Sequence, residues 1–315
     1  MRLPLHPRPL PHEALSSWIG RLAAAYGLQP NSFLRSAFGA DPSPSAAELD
    51  SFRRPDLVVA LAERTGVPHS QLRAMTLAGY MPELVDALEP SPGLFENYAC
   101  RFGWHMPAAL RSGARPESFE EWVPWRSADL LDRVARCCPR CLVTDTIPYV
   151  RLHWRLAWMA SCPLHGEMLV PLPVAPWLVG CIRERLPERA ASHLLALDRI
   201  TLGAVTNGVA VLPKGGGKVP GGAWLRALRA LLDELVRPIV RSSWRRRDNL
   251  VAAWLRTGRS LDARQGWTRL PYEGLLPQQR ALLLQVAGAA VRHLAVRPAR
   301  DGGGTALRAC ITQSS

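Results

Sequence analysis

Apolar residues in the first forty positions recur at the three-and-four spacing that places them on one face of a helix. Between Glu13 and Tyr26 this face carries Leu15, Trp18, Ile19 and Leu22. A second, shorter helix is predicted from Asn31 to Phe38, ending at Gly39. We expect these helices to share a core, with Trp18 as its anchor, because buried tryptophan is mainly a packing residue.

The next segment has the pattern of a helix-turn-helix. A helix is predicted from Asp56 to the tight turn at Gly66, and a second helix begins near His69. Gln71 and Arg73 lie on the face of the second helix that we expect to be exposed, where Arg73 could reach a phosphate or a base edge of DNA. An ordinary helical hairpin with a solvated polar face, or one that contacts a protein, fits the same pattern.

Three longer helices are predicted towards the C-terminus. The first carries an apolar stripe from Trp224 to Val236, the second opens at Ser242, and the third runs from Gln278 to Leu294. Before them, residues 199–214 predict a short helix or turn and then a small strand. The glycine-rich run Lys214–Lys218 lacks the spacing of a phosphate-binding loop, so a flexible loop is favoured. These patterns predict a mainly α fold.

Two pairs of metal-ligand residues stand in the middle of the chain. Cys138-Pro-Arg-Cys141 and Cys162-Pro-Leu-His165 are separated by twenty residues. Each pair turns two side chains towards one point, and two such pairs close a tetrahedral site. Thiolate and imidazole suit Zn²⁺, and four protein ligands leave no open position, so we predict one structural Zn²⁺. Cys137 could replace Cys138, although the two-residue spacing favours Cys138.

The residues between the pairs predict a helix that brings the two pairs together. Leu152, Leu156 and Met159 recur at helical spacing. His153 lies in this segment and is expected to be structural, because the ligand set is complete without it.

Two segments of the chain resemble the TniQ family of transposition proteins. They are the N-terminal run Pro11-His-Glu-Ala-Leu-Ser-Ser-Trp18-Ile-Gly-Arg21 and the zinc-pair region with Tyr149-Val-Arg-Leu-His-Trp154-Arg between its pairs. The resemblance implies a helix-turn-helix part followed by zinc-binding modules, acting as a non-catalytic target-site selector beside a transposase and an AAA+ ATPase. Many members carry further cysteine pairs. Here only Cys181 and Cys310 follow, so a second complete zinc site is not expected.

The charge of the chain is strongly asymmetric. The formal net charge is +13, and residues 221–315 hold 16 arginines against 6 acidic residues, a net of +10 that leaves +3 for the remainder. Such an excess favours a polyanionic partner, most simply DNA. Arg245, Arg246, Arg247 and Arg256 are the candidates for gripping phosphates, with a merely solvated helix face as the alternative.

Composition also predicts the compartment and the domain plan. No run of eighteen apolar residues and no signal peptide are evident, and four of seven cysteines have zinc spacing, so a cytoplasmic protein without a membrane partner is predicted. We predict a helix-turn-helix-like helical domain at 1–95, a zinc module at 96–182, a basic helical domain at 183–300 and a disordered tail at 301–315.

The function predicted from these features is target-site selection in DNA transposition. The expected partners are DNA, the AAA+ ATPase and the transposase, with a guide RNA complex and a homodimer left open. The helices at 18–35 and 56–77, whose charge is nearly balanced, are the candidate protein-facing surface. No acid–base, nucleophile or open metal constellation appears, so an enzyme is not predicted. A zinc-containing transcriptional regulator that binds DNA is the alternative.

Overall fold

The structure is a computed structural model that describes residues 2–40, 43–52, 54–80, 84, 136–171, 188–213, 216–236, 244–259, 272 and 275–294. Within these residues the chain forms ten α-helices and three two-stranded antiparallel sheets. The protein is therefore mainly helical, with a small cysteine–histidine cluster, as the sequence predicts.

The chain divides into two compact units that are interleaved in sequence. Unit 1 comprises 1–82, 133–156 and 169–187, and unit 2 comprises 83–132, 157–168 and 188–315. The predicted domain boundaries remain predictions. The predicted tail at 301–315, Cys181 and Cys310 lie outside the described residues.

Short helices make up the N-terminal part of unit 1. They are α1 (Leu15–Ala25), α2 (Pro30–Phe38), α3 (Ala46–Asp50), α4 (Pro55–Thr65) and α5 (His69–Ala74), followed by a 3₁₀ turn at Leu77–Tyr80. Local signals fix several of their ends. Gly39 and Gly66 end α2 and α4 in the left-handed conformation that glycine adopts freely. Ser45 and Glu48 form a capping box at the start of α3.

One hydrophobic core unites these helices. Trp18 lies at its centre, fully buried, and its indole N–H donates to the carbonyl oxygen of Pro7 at 2.7 Å. The other buried members come from all five helices and their turns: Leu15, Ile19, Leu22, Phe33, Leu34, Leu49, Leu57, Val58, Leu61, Leu72 and Met75. The predicted role of Trp18 as a core anchor is confirmed, so its side chain is not part of an exposed protein-facing surface.

The middle of the chain consists of short elements. They are β1 (Arg136–Cys137), α6 (Pro139–Thr144), a 3₁₀ turn (Leu152–Arg155), β2 (Ser161–Cys162), β3 (Glu167–Met168) and β4 (Val170–Pro171). Strand β1 pairs with β4, and β2 pairs with β3.

The prediction of a helix carrying Leu152, Leu156 and Met159 is wrong, because that segment forms only the 3₁₀ turn Leu152–Arg155. The backbone of this segment bonds to the N-terminal segment instead of to itself. Leu152 N–H donates to the carbonyl of His12 at 2.8 Å, and the carbonyl of Val150 accepts from Ala14 N–H at 2.9 Å. Residues whose backbone groups are paired across the unit cannot also form the i to i−4 bonds of a helix.

From residue 188 onward, the described residues of unit 2 form four long helices and a hairpin. The elements are α7 (Ser192–Asn207), β5 (Val209–Val211), β6 (Lys218–Pro220), α8 (Gly221–Val236), α9 (Trp244–Leu255) and α10 (Pro277–Leu294). The three C-terminal helices are confirmed. The short helix or turn expected before the small strand is instead the 16-residue helix α7. Strands β5 and β6 form an antiparallel hairpin around the glycine-rich run.

None of the helices in the described ranges combines the length and the apolar character that a membrane span requires.

Candidate metal centre

The four predicted ligands meet at one place. One ligand atom from each of Cys138, Cys141, Cys162 and His165 lies within 4.8 Å of every other, and the three cysteines are buried while His165 is half-buried. Among the described residues, this is the one group of three or more metal-binding side chains so arranged.

The first ligand pair is shaped by the start of α6. Cys138 is the N-cap of this helix and Pro139 occupies its first turn, where a missing backbone N–H costs nothing. The N–H of Cys141 points at the sulfur of Cys138, with 3.5 Å between N and Sγ. A backbone donor and the positive end of a helix both favour a thiolate at this position.

The second pair is shaped by the β2–β3 hairpin. Cys162 pairs with Glu167 across the hairpin, and Gly166 takes the left-handed conformation (φ 69°) that closes the turn. The N–H of Gly166 donates to the carbonyl of Cys162 at 2.8 Å. This tight turn brings the Sγ of Cys162 to 3.7 Å from the Nδ1 of His165.

The dimensions fit a four-coordinate metal ion. Around Zn²⁺, metal–ligand bonds of about 2.0–2.3 Å place tetrahedral ligand atoms about 3.6–3.8 Å apart. The Cys162–His165 pair has this separation, and all other pairs lie within 4.8 Å. Three sulfur atoms and one imidazole nitrogen complete the coordination, so the cluster can hold a metal ion without leaving a position for a substrate.

Cys137 is not a member of the cluster, although it neighbours Cys138. Burial and the adjacent Cys138 raise the pKa of the Cys137 thiol to about 12. A thiol with such a pKa stays protonated at neutral pH and behaves as a small apolar side chain. The geometry favours Cys138 over Cys137, because Cys138 and not Cys137 lies in the cluster with the other three ligands. His153 is likewise outside the cluster, buried with its ring 6.0 Å from that of Trp154.

A buried carboxyl group from α7 holds the strand that carries Cys162. The Oδ2 of Asp198 accepts the backbone N–H of Ser161 at 2.7 Å and the hydroxyl of Ser161 at 2.5 Å. Complete burial raises the pKa of Asp198 to about 7, against which the Ser161 bonds act. These bonds fix the backbone next to the ligand, as supporting groups around metal sites commonly do.

The segment that follows the first ligand pair is held by Glu13 and its neighbours on α1. The Glu13 carboxylate is fully buried and accepts from Arg21 at 2.6 Å and from the hydroxyl of Ser17 at 3.1 Å. The hydroxyl oxygen of Ser17 in turn accepts the backbone N–H of Val150 at 2.9 Å, and Glu13 forms a backbone bridge with Arg151. The motif that begins at Pro11 therefore docks this segment onto α1.

A second buried carboxylate completes this docking. The Oδ1 of Asp50 accepts the backbone N–H of Ser16 at 2.8 Å, and its Oδ2 accepts the Ser16 hydroxyl at 2.9 Å. Arg155, from the 3₁₀ turn, approaches the same Oδ2 at 2.6 Å through Nε and Nη2. Both partners are almost fully buried. Ser16 thus contributes both its backbone N–H and its hydroxyl to this network.

The predicted nucleic-acid residues do not form one group. Gln71 is exposed and Arg73 is half-buried on α5, which is only six residues long, and Arg256 is exposed just after α9. Arg245, Arg246 and Arg247 lie in the first turn of α9, as predicted, but their side chains are outside the described part of the structure. Binding of DNA by any of these residues stays a prediction.

Sequence reasoning missed Glu13, Asp50, Arg155 and Asp198. Glu13 and Ser17 stand four residues apart, so the helical spacing of their pair was a visible signal. The pairing of Asp50 with Arg155 spans 105 residues and has no local signal.

Comparison with known proteins agrees with this arrangement. The TniQ family model matches residues 4–169, slightly more than half of the chain. No curated protein and no solved structure matches significantly. The matched stretch includes the α1 motif, its buried partners Asp50 and Arg155, and all four clustered ligands. The chain therefore belongs to the TniQ family.

Proposed function

We propose that this protein is a non-catalytic accessory factor of DNA transposition, which selects the target site by binding DNA and recruits the AAA+ ATPase and the transposase. Membership of the TniQ family associates the protein with transposition. The observation that carries the non-catalytic part is the closed Cys₃His cluster, whose four ligands leave no coordination position for water or substrate.

The metal that suits this cluster is Zn²⁺. Cys138, Cys141, Cys162 and His165 would hold it. Three thiolates and one imidazole match the preference of zinc for sulfur and nitrogen at tetrahedral sites. Bound zinc would supply a cross-link between two short turns, and such sites contribute folding free energy directly. The hydrogen bonds from Cys141 to Cys138 and from Ser161 to Asp198 keep the ligand-bearing turns in place.

A targeting factor needs one surface for nucleic acid and one for a protein partner. The excess of arginine in residues 221–315 supports the nucleic-acid role of that region. The nearly balanced charge of the segment that holds α4 and α5 supports the protein-facing role of that segment. Two modest contacts on one scaffold reinforce each other when both partners are present.

The experiment that tests this function is transposition reconstituted from the ATPase and transposase of the same element, with and without the protein. We expect the protein to direct insertions to a defined target, and to bind the ATPase more tightly when DNA is present. The purified protein alone should neither cut nor join DNA in Mg²⁺ or Mn²⁺. Nuclease activity that remains when the protein has been purified to homogeneity would contradict the non-catalytic assignment.

Unchanged target choice and efficiency without the protein would contradict the selection role. Sequence-specific control of a promoter, with no effect on transposition, would favour the transcriptional regulator instead.

A further inference from the structure

Three helices of unit 2 bring a histidine and two arginines together at the surface. His193 lies in the first turn of α7, Arg256 directly follows α9, and Arg292 lies in the last turn of α10. The Nη1 of Arg292 is 3.5 Å from the Nδ1 of His193. Both arginine side chains are exposed and the histidine is half-buried. We refer to these three residues as the basic cluster.

Close helix packing creates the basic cluster. Gly288 of α10 lies so near the backbone of α7 that a Cβ atom there would overlap the carbonyl oxygen of His193. Arg292 is four residues farther along α10, so it lies on the same face, one turn on. Helix α9 also packs against α10, and Arg256, which follows α9, is near enough to act electrostatically on His193. The packing of α7 against α10 therefore brings the backbone positions of His193 and Arg292 close together.

Two positive charges act on the ring of His193 in the basic cluster. Burial and then the charges of Arg292 and Arg256 lower the pKa of His193. In the described part of the chain, the charged groups that act on His193 are thus both arginines. The lowered pKa keeps His193 neutral at neutral pH, so its Nδ1 can accept a hydrogen bond from Arg292. The two guanidinium groups then carry the positive charge of the cluster, and their combined field attracts an anion.

We propose that His193, Arg256 and Arg292 bind the phosphodiester backbone of DNA. Two exposed guanidinium groups beside an imidazole offer several N–H donors to phosphate oxygens, which arginine bonds in a paired geometry. The two arginines are open to solvent rather than enclosed in a cavity, which suits an extended polyanion better than a small phosphate ligand. This inference rests on the DNA-binding half of the proposed function, and adds His193 and Arg292 to the candidate residues.

The test compares duplex DNA binding by the unaltered protein and three double variants. Arg256→Gln with Arg292→Gln removes both guanidinium groups of the basic cluster. Arg189→Gln with Arg199→Gln removes the same charge from exposed positions, one of them about a turn and a half farther along α7 than His193. The affinity for a 30-base-pair duplex is measured by fluorescence anisotropy at several salt concentrations.

We expect the Arg256/Arg292 variant to bind more weakly and to lower the slope of log affinity against log salt by about 1.8, since each lost phosphate contact removes about 0.9. The Arg189/Arg199 variant should keep the wild-type slope. A lysine pair, Arg256→Lys with Arg292→Lys, should keep the slope while losing affinity, because lysine retains the charge but not the paired geometry.

A second readout does not depend on any variant. The pKa of His193, followed by NMR on the unaltered protein, should rise when the duplex is added, because nearby phosphates stabilise the imidazolium form. Inorganic phosphate at the same phosphate concentration should produce a smaller rise. Single-stranded RNA of equal length serves as the competing polyanion.

The outcomes separate the basic cluster from the wider proposal. If the wild-type protein binds the duplex but the Arg256/Arg292 variant keeps its affinity and slope, the basic cluster is overturned and target selection stands. A preference for RNA, or an unchanged His193 pKa, also overturns the DNA site. If the wild-type protein does not bind the duplex at all, both the cluster and the DNA-binding half of the proposed function fail.

Discussion

The buried carboxylates of Glu13 and Asp50 explain the roles of three residues of the TniQ motif that are not metal ligands. These residues are Ser16, Ser17 and Arg21. Glu13 and Asp50 are both almost inaccessible to solvent, and each is neutralised by an arginine and further bonded by a serine of α1. Buried charges persist only when such partners are present, because an unpaired buried ion is very costly. The two serines therefore belong to a polar layer beneath α1.

Removing Arg155 should show how strongly the buried Asp50 carboxylate depends on its arginine partner. Among the described residues, Arg155→Ala leaves the buried Asp50 carboxylate with only the Ser16 donors. We expect a loss of about 3–5 kcal/mol in the free energy of unfolding, measured by urea denaturation. The matched control is Arg54→Ala, which breaks the Arg54–Asp56 pair at 2.7 Å on the surface. That pair is largely exposed, so its loss should cost less than about 1 kcal/mol. Equal losses for the two variants would contradict the role assigned to Asp50.

Residues differ in how well the sequence predicts them, and the reason is their spacing. Spacing indicates a metal site at the pairs Cys138–Cys141 and Cys162–His165, because both members of each pair lie on one turn. Asp198 carries no such signal, because its partner Ser161 lies 37 residues away and becomes its neighbour only when α7 packs behind β2. Spacing along the chain reveals local chemistry, whereas supporting contacts depend on tertiary packing.

Helix ends were predictable where glycine or proline sets the backbone, as at Gly39 and Gly66. The segment 150–155 shows where this fails. Its apolar spacing favours a helix, but backbone bonds to residues 12–14 win, since tertiary pairing of the chain overrides weak helical propensity. Helix α7 was underestimated for a related reason. Its polar Asp198 and Thr201 interrupt the apolar pattern, yet both are completely buried.

The contact between α7 and α10 yields a test at the level of whole elements. Gly288→Ala places a methyl group against the carbonyl of His193, which belongs to the backbone and cannot rotate away. We expect α7 and α10 to separate and the free energy of unfolding to fall by about 1–3 kcal/mol, the usual cost of overpacking.

The control for this change is Gly20→Ala in α1. Nothing lies within 4 Å of the position that its Cβ would occupy. Alanine there should stabilise the protein by about 0.5–1 kcal/mol, because it restricts the unfolded chain and favours the helix. In thermal and urea unfolding, the two variants should change the free energy of unfolding in opposite directions. A Gly288→Ala protein as stable as the parent would show that the two helices are not in such close contact.

At the scale of the whole molecule, the chain separates two kinds of chemistry. The residues matched by the family model hold the metal cluster and its polar supports, whereas residues 221–315 carry most of the net charge. Composition alone predicted the second feature and ligand spacing the first. Neither could predict that His193, with no charge run around it, would join Arg256 and Arg292, because three separate helices supply these residues.

The last prediction concerns the metal content of the intact protein. We expect one equivalent of zinc per chain, measured by elemental analysis after purification without added metal. Cys141→Ser should lose it, because the cluster then lacks one of its four ligands. Cys137→Ala is the matched control. It changes a buried cysteine in the same stretch that is not part of the cluster, so this variant should retain one equivalent.

Removing the metal should also loosen the turns that it joins. Structural zinc contributes about 10–16 kcal/mol of apparent binding free energy in small modules, so a strong chelator should increase amide hydrogen exchange in α6 and in the β2–β3 hairpin. The helices α8 and α10 contribute none of the four ligands and should change less. Zinc lost from Cys137→Ala but kept by a Cys138→Ala protein would transfer the ligand role to Cys137, and two equivalents in the parent protein would show that the Cys₃His cluster is not the whole of its metal chemistry.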